Sequence, residues 1–174
     1  MKKFTKGLLA LLAMVTVVGC SGQKNIKLDF EKVVENVSNV TYVCEEGSEC
    51  AFETGDPIFG MMMPVDDEIM KSESFNINPE NFEEVLFMYP IMNVHSSMYF
   101  VGKPAEGKKA AAKAELDAFI ISHGEKFSRY LADQYDLVVN RLETTVGDYL
   151  VYIISHNNDG VLEAIKASEV VDAE

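Results

Sequence analysis

An α+β sandwich, its mostly antiparallel sheet carrying helices on one face, is the fold class that this 174-residue sequence predicts. Three observations lead there. The stretch Tyr149-Leu150-Val151-Tyr152-Ile153-Ile154 is apolar at consecutive positions, so a strand there has both faces buried, as a central strand does. Leu116, Ile120, His123, Phe127 and Leu131 recur at helical spacing on one face, and Phe119 and Tyr130 widen the stripe. The β-rich runs come in pairs separated by helical patterns. The resulting order, β-β-α-β-β-α, is met most economically by a two-layer sandwich.

Along the chain, Asp29 to Val37 has the pattern of a short amphipathic helix, with Phe30, Val33, Val34 and Val37 on one face. Residues 38 to 80 show no clear period. They hold Cys44 and Cys50, a Gly55-Asp56-Pro57 turn signal, the run Met61-Met62-Met63 and an acidic, helix-like patch from Asp66 to Lys71. Val85–Met92 and Ser97–Gly102 are β-rich, and Pro90, which has no N–H to donate, gives the first an edge position or a bulge. A long helix is expected over about Ala105–Asp133. Asp136–Glu143 and Asp148–Ser155 read as a hairpin around Val146-Gly147-Asp148. In the last helix Asn157 or Asn158 is the cap, and Val161, Leu162 and Ile165 face inward.

The N-terminus carries an address. Lys2, Lys3 and Lys6 precede an apolar run from Leu8 to Val18, broken only by Thr16. Eleven residues are too few for a membrane span, which takes roughly 20, whereas a basic start with an apolar run of this length reads as a secretory signal. Val17-Val18-Gly19-Cys20 resembles the bacterial lipobox, in which the cysteine thiol receives diacylglycerol and the chain is cut before it. The alternative is an ordinary signal peptide with a cysteine nearby, against which the polar tether Ser21-Gly22-Gln23 weighs. The expected organisation is therefore a signal peptide over residues 1–19, a lipidated flexible tether over 20–28 and a single α+β domain over 29–174, on the extracytoplasmic face of the cell membrane. Two acyl chains suffice to hold a protein there, at about 0.8 kcal/mol per buried methylene. The nine residues from Cys20 to Asp29 reach about 30 Å at most.

Charge narrows the partners. The chain has 15 basic and 28 acidic side chains; cleavage removes three of the lysines and no acid, leaving a net charge of −16. A field of that sign repels nucleic acids and anionic leaflets, so nucleic-acid binding is excluded and the lipid on Cys20 supplies the membrane affinity. The 155 residues after Cys20's cleavage point are one domain by length. Cys44 and Cys50 bracket a loop containing Gly47, and in an oxidising compartment they can close a small disulfide with about 2 kcal/mol of loop entropy; the alternative is two free thiols. Their spacing, with no second ligand pair, does not suit zinc.

The lipobox, the Ala/Lys/Glu-rich helix after a short strand, the aromatic residue near that helix's end and the strand Gly147-Asp148-Tyr149-Leu150-Val151-Tyr152-Ile153-Ile154 together resemble the lipoproteins catalogued as domain of unknown function 4358, from clostridial and related Gram-positive bacteria. The resemblance covers about residues 66 to 168 plus the signal. It implies no established activity and no catalytic motif. The segment from Thr41 to Met63 departs from the family pattern.

Candidate chemistry is sparse. Gly102-Lys103-Pro104-Ala105-Glu106-Gly107-Lys108 matches the start of a phosphate-binding loop, but Lys109 replaces the magnesium-ligating hydroxyl and Pro104 removes a cradling N–H. His123 lies on the apolar stripe, where a hydrogen-bonded core histidine is expected. His95 and His156 sit at strand ends that can meet in space. Seven methionines, Met61, Met62, Met63, Met70, Met88, Met92 and Met98, fall within 38 residues; thioethers bind copper(I), and the bland alternative is adaptable packing or a soft contact surface, with Met88 and Met92 in phase on a strand. No cofactor or metal motif is present. The favoured reading is a non-enzymatic lipoprotein module that binds a protein or small ligand at a groove near Met61–Met63. A copper(I)-binding lipoprotein and an extracytoplasmic enzyme using His95 or His156 are the alternatives.

Overall fold

The computed structural model describes residues 26–43 and 53–170. Cys20, Cys44, Cys50 and the signal segment lie outside the described residues. Strand β1 (Lys27–Leu28) leads into helix α1 (Phe30–Ser38), whose N-terminus is capped by the Asp29 carboxylate accepting from the N–H groups of Glu31 and Lys32. A β-bridge between Thr41 and Pro57 closes the following loop. Then come β2 (Met62–Pro64), α2 (Asp67–Lys71) with Asp66 as cap, a 3₁₀ turn at Pro79–Asn81, β3 (Phe82–Pro90) and β4 (Met98–Pro104). Helices α3 (Lys109–Phe127) and α4 (Ala132–Val139), strands β5 (Leu142–Val146) and β6 (Tyr149–Ile154), helix α5 (Asn158–Lys166) and β7 (Glu169–Val170) complete the order.

The main sheet has the order β2-β3-β4-β6-β5 and is antiparallel throughout; β1 and β7 pair separately and tie the two ends of the domain together. The α+β sandwich is thus the observed class. The structure adds a layer to it. Alternate residues of β4 and β6 go to opposite sides: Met98, Phe100, Leu150, Tyr152 and Ile154 pack with Leu116, Phe119, Ile120 and Phe127 of α3, while Tyr99, Val101, Tyr149, Val151 and Ile153 pack with Val33 and Val37 of α1 and Val161 and Ile165 of α5. Helices therefore cover both faces, not the one face expected. The reason is visible in β6 itself: a strand apolar at every position needs cover on both sides.

Other expectations shift at their boundaries. The long helix over Ala105–Asp133 is two helices, because α4 folds back along α3. Gly124 permits the approach: a Cβ there would sit 3.2 Å from Cγ1 of Val138. Asp136–Val139, expected as strand, is helical. Tyr130 stands 67% exposed and does not widen the buried stripe. Pro90 marks neither an edge nor a bulge. It ends β3 opposite Met62, and the register irregularity lies at the other end, between Phe82 and Glu84. The hairpin turn is as expected, with Gly147 at φ +55° in a two-residue loop between Val146 and Tyr149. Asn157 caps α5 by accepting from the Gly160 N–H.

Candidate functional site

One end of the main sheet gathers the residues with chemistry. There β2 begins, β3 ends at Pro90, β4 begins after Ser97 and β6 ends before His156. A cavity of about 210 Å³ opens at that end, walled by Ile58, Met61 and Met62 on one side, by Pro90, Met92, His95 and Ser97 of the β3–β4 loop on another, and by Gln134 and His156. The two histidines that sequence could only place at strand ends share this one cavity. Met61 and Met92 remain exposed in its walls, giving the mouth an apolar rim. The expected groove near Met61–Met63 is therefore present, although Met63 is not among its walls. Met92, expected to pack in phase with Met88, lies beyond the strand and is half exposed, whereas Met88 is buried. On the far side of the 59–62 segment, Val34, Val37, Phe59, Met62, Met88 and Tyr99 line a second apolar cavity of about 220 Å³.

The walls are held by polar anchors. Ser96, at the root of the β3–β4 loop, is fully buried; its N–H donates to Oε1 of Gln134 (2.9 Å) and its hydroxyl to the Gln134 carbonyl (2.8 Å). Its carbonyl accepts from Nε2 of His123 at 2.9 Å. A carbonyl can only accept, so the proton sits on Nε2 and Nδ1 is left as the acceptor for the Tyr89 hydroxyl, 3.1 Å away. Phe119 stacks on the ring and Phe127 and Tyr89 meet it edge-on. His123 is thus the satisfied core histidine expected of it. Burial presses its pKa down to about 4, the Ser96 carbonyl opposing and Lys126 reinforcing, so the ring is neutral. Burial likewise pushes Tyr89 up to about 12.

Across the cavity, the turn after β6 is fixed by Asn158, whose Oδ1 accepts from the N–H and hydroxyl of Ser155, and by Asn157, whose side-chain amide donates to the Thr41 carbonyl. The His156 ring meets Tyr42 edge-on at 5.5 Å. Burial lowers its pKa, Asp133 opposing and the neighbouring His95 adding to the effect. The 59–62 wall is tied across to the loop by the Ile91 N–H donating to the Met61 carbonyl at 3.1 Å. Ser96, Ser97, Asp133 and Gln134 were not found from sequence: they fit no motif, and their roles depend on α4 folding back to the loop.

The phosphate-loop resemblance does not survive. Gly102, Lys103 and Pro104 are strand residues paired with Val85, Glu84 and Phe82, and Lys103 bonds Glu83 at 2.6 Å. Gly102 has a packing reason: a Cβ there would stand 2.7 Å from the Phe100 ring. Among the described residues, no group of three or more His, Cys, Asp or Glu side chains could hold a metal ion, and no helix is long and apolar enough to cross a membrane.

These features define an α+β domain with a small, mostly apolar cavity at one sheet end. A family model described as Domain of unknown function (DUF4358) matches residues 58–155, more than half of the chain, and the chain belongs to that family. The match begins at the Ile58 wall of the cavity and ends at Ser155, so it spans all of the described cavity walls except Pro57 and His156. No curated protein and no solved structure matches the chain.

Proposed function

We propose that this protein is a lipid-anchored, extracytoplasmic binding module, not an enzyme, and that the cavity between the 57–62 segment, the β3–β4 loop and His156 is its ligand site. The observation that carries the reading is the cavity itself: apolar walls with a few convergent polar groups, the default signature of a ligand site. Its walls stand on buried, fully bonded anchors and are pre-formed. At about 210 Å³ it is smaller than the roughly 300–1,000 Å³ of drug-sized sites, which points to a small ligand. The anchor reading rests on the Lys2-to-Cys20 pattern, with diacylglycerol on Cys20 holding the domain at the cell membrane.

Two experiments test the two halves. Metabolic labelling with a lipid analogue should mark the wild-type protein and not Cys20→Ala; label retained on the variant contradicts the anchor. For the site, Gly60 lines both cavities beside the 59–62 segment and a Cβ there meets nothing within 4 Å, so Gly60→Phe puts an aromatic ring at their shared edge without displacing backbone. Nile red, too large to be enclosed in about 210 Å³, should dock at the open apolar mouth of the native chain with a blue shift that Gly60→Phe abolishes. Equal binding to both proteins would place the ligand site elsewhere.

A further inference from the structure

We infer that this cavity binds a soft monovalent metal ion, copper(I), through the thioether sulfurs of Met61, Met62 and Met92 and the imidazoles of His95 and His156. The inference rests on the binding reading above and gives its ligand a chemical class. Four observations carry it. The first is the donor set: five of the side chains lining one cavity carry nitrogen or thioether sulfur donors, and among the described residues no carboxylate or thiolate lines it. Thioethers select copper(I), and imidazole accepts copper as well. Zinc takes three or four His, Cys, Asp or Glu ligands and calcium and magnesium take carboxylates, and among the described residues no group of three such side chains lies together here.

The second is how the methionines divide. Met70, Met98 and Met88 are buried and fill the core, whereas Met61 is 70% and Met92 50% exposed. Packing accounts for the first three and not for two apolar side chains held in water at a cavity mouth. The third is size. The space is small for an organic ligand but ample for an ion with three or four side-chain ligands. The fourth is charge. Neutral donors leave the complex at +1; Asp133 lies close enough to act on His156, and the chain's net charge of −13 draws cations toward it. Met61 and Met92 come from opposite walls that the Ile91–Met61 hydrogen bond already holds together.

The test is a titration of the full chain in detergent, with free thiols alkylated so that cysteines do not compete. Silver(I) serves as the redox-inert probe, and copper(I) kept reduced with ascorbate is measured against bicinchoninate. One equivalent should bind, shifting the methyl resonances of Met61 and Met92 in ¹³C-methyl-methionine spectra. Met61→Leu/Met92→Leu should weaken binding at least tenfold while Nile red binding stays, because leucine keeps the apolar volume. His95→Gln, tested separately, should weaken the metal similarly. No saturable binding, or affinity within twofold of wild type in both variants, overturns the inference. If Nile red still docks at the mouth and Gly60→Phe removes it, the binding reading stands without the metal; if neither probe binds, both fall.

Discussion

His123 and the pair His95/His156 are the same residue type in two opposed settings. His123 is fully buried, hydrogen-bonded through both ring nitrogens and ringed by three aromatic side chains. His95 and His156 line a cavity at the sheet end, among methionines. The difference teaches what each does. A ring with both nitrogens committed in the interior has nothing left for a ligand, so His123 holds structure: through Ser96 it fixes the loop that presents Met92 and His95. The core histidine positions, and the cavity histidines are the ones that the proposed site would use as ligands.

The comparison can be broken most severely at His123. His123→Leu leaves the Ser96 carbonyl and the Tyr89 hydroxyl without their partner, at about 1–3 kcal/mol each, so about 2 kcal/mol or more of stability should be lost in urea unfolding. A loss below about 1 kcal/mol would mean that the lock is not structural. The methionines give a parallel contrast: Met70→Ala, fully buried, should cost about 2–5 kcal/mol, and Met61→Ala, exposed, within about 0.5.

Acid sharpens the same contrast. The folded state holds His123 down near 4 whereas the unfolded chain takes the proton near 6.5, so the unfolded state binds more protons between those values. The stabilisation is complete above about pH 6.5 and is lost as pH falls toward 4, by about 3 kcal/mol at the end of that window. His156 adds a contribution of the same sign. Urea midpoints measured across pH 4–7 should therefore slope steeply in wild type and much less in His123→Leu; parallel slopes would assign the acid sensitivity elsewhere. A smaller effect belongs to Gln134→Ala, which unpairs the buried Ser96 N–H at about 1–2 kcal/mol and should weaken Nile red binding by loosening the loop. Smallest is Met61→Leu, expected to leave stability unchanged within about 0.5 kcal/mol.

Much of this architecture was legible in the sequence because it is local. The Gly147 turn, the doubly apolar β6 and the Asn157 cap each follow from neighbouring residues. What was not legible depends on distant contacts. Nothing between Phe127 and Ala132 is a strong breaker, so the α3–α4 division comes from packing at Gly124, and Val138 and Val139 misled toward a strand. Strands β1, β2 and β7, of two or three residues, are too short for any period to show. The site was half legible: His95, His156 and the methionines stood out as residue types. Their convergence required the strand order, and the anchoring roles of Ser96 and Gln134 required α4 to reach the β3–β4 loop.

The division of labour between the histidines is tested most directly by imidazole ¹⁵N spectra of the full chain, thiols alkylated, before and after one equivalent of silver(I) at pH 7. The account expects the His95 and His156 signals to move while those of His123 stay fixed in the neutral Nε2–H form. A His123 signal that moves with the ion, or cavity signals that do not, would contradict it.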